Sequence, residues 1–113
     1  MTLPKTQPDA VLDPSDLKCP GYRNANTPWW DGSQIYGSSE AATEALRSKH
    51  KDGKLTLVKR GNEEFLPTDA QGNFLTGFNS NFWVGIDILH TLFALEHNAI
   101  CDAMRRAHPD WTG

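Results

Sequence analysis

The sequence predicts a mainly α-helical chain carrying a small β-hairpin excursion, on three observations. From Val84 to about Ala107, Leu89, Leu92, Phe93, Ile100, Ala103 and Met104 recur at three- and four-residue spacing. That is the stripe of an amphipathic helix. Ser38-Ser39-Glu40 opens the run AATEALRSKH, a serine cap with an acid in the first turn and so a helix start. Between these two segments, Asp52-Gly53, Gly61-Asn62 and Gln71-Gly72-Asn73 punctuate short apolar runs, the pattern of turns joining short strands.

Taken in order, residues 1–26 contain four prolines among scattered Asp and Lys. Such a segment has little to bury and favours extended or disordered backbone, so it reads as a lead-in to a second unit spanning residues 27–113. CPGYRNANTP is turn-rich and is expected to carry no regular structure. The first helix is expected from about Ser39 to His50, with Ala42, Ala45 and Leu46 on a weak apolar face and Lys49-His50-Lys51 near its end. KLTLV, Glu64-Phe65-Leu66 and Phe74-Leu75 are expected as short strands. The last helix, at about 24 residues and 1.5 Å per residue, spans about 36 Å. Arg105 and Arg106 suit its C-terminal dipole, and Pro109 and Gly113 mark its exit. The rest of the chain is too small to cover such a stripe, so self-association through an exposed helix face is expected.

Composition narrows the function classes. A net charge of −3 offers no basic face for nucleic acid, and no apolar run approaches the roughly 20 residues of a spanning helix. The N-terminal MTLPKTQPDAVLDP lacks the apolar core of a signal peptide, which points to the cytoplasm. Cys19 and Cys101 are too few and too separated for a zinc site or a disulfide framework. Cys101 falls within the helical stripe and reads as a buried thiol.

Functional residue types are densest in TPWWDGSQIYG, from Thr27 to Gly37. Thr27, Trp29, Asp31 and Ser33 stand two residues apart, and in an extended chain residues at that spacing share one side. Three oxygen-bearing side chains and a carbonyl at Trp29 can then converge, which is the donor set a hard cation such as calcium takes from a flexible loop. Gly32 permits a tight turn between Asp31 and Ser33. An ordinary polar turn between two aromatic residues accounts for the same spacing.

TPWWDGSQIYGS resembles the signature of the haem peroxidase–cyclooxygenase superfamily, nearest its fatty-acid alpha-dioxygenase branch. A second block, LHTLFALEHNAICDAMRRAHPDW from Leu89 to Trp111, resembles the same family in the right order and at the right distance. The resemblance covers roughly Asn24 to the C-terminus and implies part of a haem-peroxidase-like fold. It also implies that Thr27, the Trp29 carbonyl, Asp31 and Ser33 bind calcium, since they match the family's calcium loop one by one. For a full-length parent it implies haem and a fatty-acid substrate oxidised by way of a tyrosyl radical.

Within the family the distal His precedes the calcium loop, while the proximal His and catalytic Tyr follow the long helix. His50, His90, His97 and His108 match none of these positions, and Tyr36 belongs to the IYG signature. The resemblance therefore assigns this chain no catalytic or haem-binding residue, and the expectation is a fragment or a truncated, non-catalytic member. Gly77-Phe78-Asn79-Ser80 stands where relatives carry a Gly-Asp-x-Arg-like run, so Ser80 replaces an Arg that would stabilise a bound peroxide or carboxylate. Leu95 likewise stands where relatives often have a base. His90 and His97, seven apart on a helix, are about 10 Å apart along the axis, too far to share a metal. His97, in Glu96-His97-Asn98, is expected to be packed and hydrogen-bonded to backbone.

Overall fold

The computed structural model describes residues 8–11, 13, 21–22, 30–78 and 83–111. In chain order these hold α1 (Ser33–Tyr36), α2 (Glu40–Leu46), β1 (Val58–Arg60), β2 (Glu63–Phe65) and α3 (Val84–Ala107). The mainly helical architecture with one antiparallel hairpin matches the expectation. Among the described residues no helix is long and apolar enough to cross a membrane. Most of the 1–26 lead-in lies outside the described residues; within it, Pro8 forms an isolated antiparallel bridge with Tyr22.

α1 is a single turn that the sequence pattern does not announce. Gly32 takes φ 71, a left-handed conformation that glycine adopts without penalty, and the turn ends at Gly37 with φ 85. α2 starts as expected: the Ser39 Oγ accepts from the Ala42 N–H at 3.2 Å, with Glu40 in the first turn. It stops at Leu46, four residues short of the expected His50. The cause lies later in the chain. Arg47 is pulled into a bridge with Leu55, the Thr56 N–H donates to the Leu46 carbonyl at 2.9 Å, and the Thr56 hydroxyl donates to the Arg47 carbonyl at 2.9 Å. These bonds replace the helical ladder beyond Leu46.

The hairpin pairs Val58 with Phe65, Lys59 with Glu64 and Arg60 with Glu63. Its loop is Gly61-Asn62, with φ 65 at Gly61, glycine at the first position of a two-residue turn. The strands are shifted from the expected KLTLV and Glu64–Leu66, because Leu55 is engaged with Arg47. Thr68 bridges Phe74 across a turn held by Asp69, whose Oδ1 accepts from the Gln71 and Asn73 N–H groups, both at 2.9 Å.

Leu55, Leu66 and Ala94 form the buried core, with Ile35, Tyr36, Leu46, Leu57 and Phe74 packed against it. Among the described residues no large side chain is completely buried. α3 has the predicted boundaries, and its apolar stripe is left exposed, as expected of a chain too small to cover it. Leu89, Leu92, Phe93, Ile100 and Met104 are all exposed, by 44% to 58%, whereas the residues α3 buries are Asp87, His90 and Ala94. The helix lies on the rest of the chain by its small and polar face.

Candidate functional site

Two of the four expected calcium ligands fall within the described residues. Thr27 and Trp29 lie outside them. Asp31 and Ser33 are brought together, though by a turn and not by an extended strand. The Asp31 Oδ1 accepts the Ser33 N–H at 3.0 Å, and that bond, followed by one to the Ser33 side chain, holds the Asp31 carboxyl below its ordinary range. An ionised, solvent-facing carboxylate beside a left-handed Gly32 suits a calcium donor set. Among the described residues no group of three or more His, Cys, Asp or Glu is placed to hold a metal ion. A calcium ion at this loop would therefore rest on Asp31 for charge and on neutral oxygens for the remaining bonds.

The loop is tied to the rest of the molecule through α1. The Gly77 N–H donates to the Ile35 carbonyl at 3.1 Å and the Phe78 N–H to the Gln34 carbonyl at 3.2 Å. A Cβ at Gly77 would collide with the Ser33 carbonyl and the Gly37 nitrogen, so only glycine allows this approach. The Thr43 hydroxyl donates to the Tyr36 carbonyl at 2.7 Å, joining α2 to the end of α1. Trp30, at the mouth of the loop, is fully exposed. A cleft runs between this loop and α3, lined by Asp31, Ser33, Ile86, Leu89, His90 and Phe93.

His97 is the hinge between the loop and α3. Its Nε2 lies 2.9 Å from the Gly53 carbonyl and its Nδ1 lies 3.1 Å from the Tyr36 hydroxyl. A carbonyl only accepts, so Nε2 carries the proton and the Tyr36 O–H donates to Nδ1. The Cys101 Sγ sits 3.4 Å from Nε2 as a weak further acceptor. This fulfils the expectation of a packed, backbone-bonded His97, and both ring nitrogens are committed, so this histidine has none left for an iron. Next to it, the Asn98 side chain accepts from the Leu55 N–H at 2.8 Å and donates to the Leu55 carbonyl at 3.0 Å. Asn98 thus completes the edge of Leu55 as a neighbouring strand would.

The other histidines divide by environment. His50 is exposed, and His108 stacks on Trp111 with ring centroids 4.1 Å apart. His90 is buried, its Nδ1 without a hydrogen-bond partner, and burial pulls its pKa down. Asp87, one turn earlier, is also buried with an unpartnered Oδ2, and burial pushes its carboxyl up. Cys101 is half-buried, with burial raising its thiol, which is an inert setting for a thiol. Cys19 and Ser80 lie outside the described residues.

Sequence reasoning placed His97 and missed the buried Asp87 and His90. Their only signal was polar residues interrupting a helical pattern otherwise open to apolar ones.

The animal haem peroxidase family model matches residues 2–113. The chain belongs to the animal haem peroxidase family. Over 95 residues it is 43% identical to an alpha-dioxygenase PIOX of Pisum sativum, covering 84% of this chain and 14% of that protein. A crystal structure of Oryza sativa fatty acid alpha-dioxygenase with palmitic acid superposes with a TM-score of 0.68 at 42% identity, over 82% of this chain and 15% of that one. The Arabidopsis thaliana fatty acid alpha-dioxygenase superposes with a TM-score of 0.68 at 39% identity, over 82% of this chain and 14% of that one. The chain thus spans about one-seventh of the length of the relatives it matches. The haem peroxidase fold is the frame in which α1, α2, the hairpin and α3 take their places.

Proposed function

We propose that this chain is the calcium-loop and long-helix section of a haem-dependent fatty-acid alpha-dioxygenase or peroxidase-like oxidoreductase. In a full-length parent, haem and a fatty acid would be held by other parts of the polypeptide. This section would bind calcium through Thr27, the Trp29 carbonyl, Asp31 and Ser33 and set the loop against α3. The observation that carries the reading is the joint match of sequence and fold, 42% identity at a TM-score of 0.68, to a fatty acid alpha-dioxygenase. A cytoplasmic setting and self-association through the exposed face of α3 belong to the same reading.

A second reading rests on Ser80, which stands where relatives of this type carry an Arg. On this reading the chain is a non-catalytic remnant that retains a calcium-binding or interaction role. One experiment separates the two: the chain replaces the matching section of the rice enzyme, and the chimaera is assayed for haem content and for oxygen uptake with palmitic acid. Activity supports the first reading. A haem-loaded, inactive chimaera that regains oxygen uptake with Ser80→Arg supports the remnant. A chimaera that folds, binds haem and stays inactive even with Ser80→Arg counts against the first reading and against Ser80 as the cause of the loss.

A further inference from the structure

A groove of about 530 Å³ lies between the β1–β2 hairpin and the N-terminal half of α3, walled by Phe65, Phe74, Ile88, Leu92 and Leu95. Three acids line it, Asp87 in the floor with Glu63 and Glu64 of β2, and among the described residues no cationic side chain does, although the exposed Lys59 Nζ lies 3.9 Å from Glu64. Asp87 is only 7% exposed, and its Oδ2 has no hydrogen-bond partner. A carboxylate oxygen buried without a partner is costly for the fold. Val84, Ile88 and Leu92 are 58% to 66% exposed. They belong both to this groove and to the outward stripe of α3, which continues through Ile100 and Met104. The apolar face is thus about as long as the helix, roughly 36 Å, more than a small molecule covers.

We propose that this groove docks a polypeptide segment that lays apolar side chains along α3 and inserts an arginine or lysine toward Asp87. The charge of the groove selects the cation, and the continuity of its wall with the α3 stripe selects a polypeptide. Asp87 then gains the partner it lacks, as buried charges in proteins ordinarily have. Glu63 and Glu64, more exposed at the rim, steer the cation and do not anchor it. This inference stands on the groove alone and is independent of the activity of any parent protein.

The test uses the whole chain and a short amphipathic helical peptide with one apolar face and a single central Arg, compared with its Arg→Glu counterpart. The Arg peptide is expected to bind at least about tenfold tighter, with amide shifts at Asp87, Thr91 and Leu92. The ratio should collapse in Asp87→Asn and persist in the Glu63→Gln/Glu64→Gln double variant. Asp87→Leu should raise the thermal midpoint of the free chain, since it removes a buried carboxylate that bonds nothing through Oδ2. Equal binding of the two peptides would overturn the proposal, as would a preference that follows the rim glutamates. So would an Asp87→Leu variant less stable than the parent, or octylguanidinium alone binding as tightly as the Arg peptide.

Discussion

The Tyr36 hydroxyl donates to Nδ1 of His97 at 3.1 Å, joining the turn beside the candidate calcium loop to the middle of α3 across 61 residues of sequence. With the His97 Nε2–H bonded to the Gly53 carbonyl, one imidazole fixes three segments. Removing Tyr36's hydroxyl deletes one part-buried bond and leaves Nδ1 without that donor, so Tyr36→Phe should cost about 1 kcal/mol. His97→Leu deletes both bonds and leaves the Gly53 carbonyl without its imidazole donor; it should cost about 2–4 kcal/mol. Urea unfolding of the three proteins checks the order.

Gly77 should tolerate no side chain. Its hydrogen bond to Ile35 draws the backbone so close to α1 that a methyl group would meet the Ser33 carbonyl and the Gly37 nitrogen. Gly77→Ala is expected to destabilise by about 2–4 kcal/mol and to raise amide exchange selectively in α1. By contrast, nothing lies within 4 Å of a Cβ at Gly72, although its φ of 84 strains any side chain. Gly72→Ala should therefore cost only about 1 kcal/mol.

Acidification should weaken the fold through His90. Burial lowers its folded-state pKa below the ordinary 6.5, while the unfolded chain titrates near that value. The stability from a neutral buried His90 is present above about pH 6.5. It is lost as pH falls from there through the lowered folded-state value. His90→Gln should flatten this part of the pH profile, measured by thermal melting between neutral and acidic pH. A profile with an unchanged slope would assign the dependence to other groups.

The outward stripe of α3 should drive association. Leu89, Leu92 and Phe93 are at least half exposed on adjacent turns, and a contiguous apolar patch of that kind is normally covered. Sedimentation of the chain should show concentration-dependent oligomers, and Leu89→Ser with Leu92→Ser should shift the population to monomer. Clean monomer at high concentration for the unmodified chain would refute this.

How much of this was legible in the sequence varies with how local the cause is. α3 was readable to its last residues, because its periodicity, terminal arginines and following proline all sit within the element. The end of α2 was not, since Arg47 leaves the helix to pair with Leu55, a partner eight residues away. The strands slid for the same reason. That the stripe of α3 would lack cover was legible from the size of the rest, but the side by which α3 docks was not. An apolar stripe identifies a face to be covered, but the described partners of α3 use its polar side, through His97 and Asn98. At the candidate site, the spacing of Asp31 and Ser33 was legible and so was the turn at Gly32. The helical turn that begins at Ser33 was not, because four residues carry too little pattern to announce a helix.

The calcium reading is tested most directly by calorimetric titration of the chain with calcium, beside the Asp31→Ala, Ser33→Ala and Thr27→Ala variants. Asp31 is the one charged group among the four proposed ligands and supplies most of the attraction for a dication. The account predicts weak, saturable binding that magnesium competes for poorly, lost with Asp31→Ala and reduced less by the two hydroxyl deletions. Calcium affinity unchanged by Asp31→Ala would contradict it and leave the Asp31–Ser33 contact as an ordinary turn.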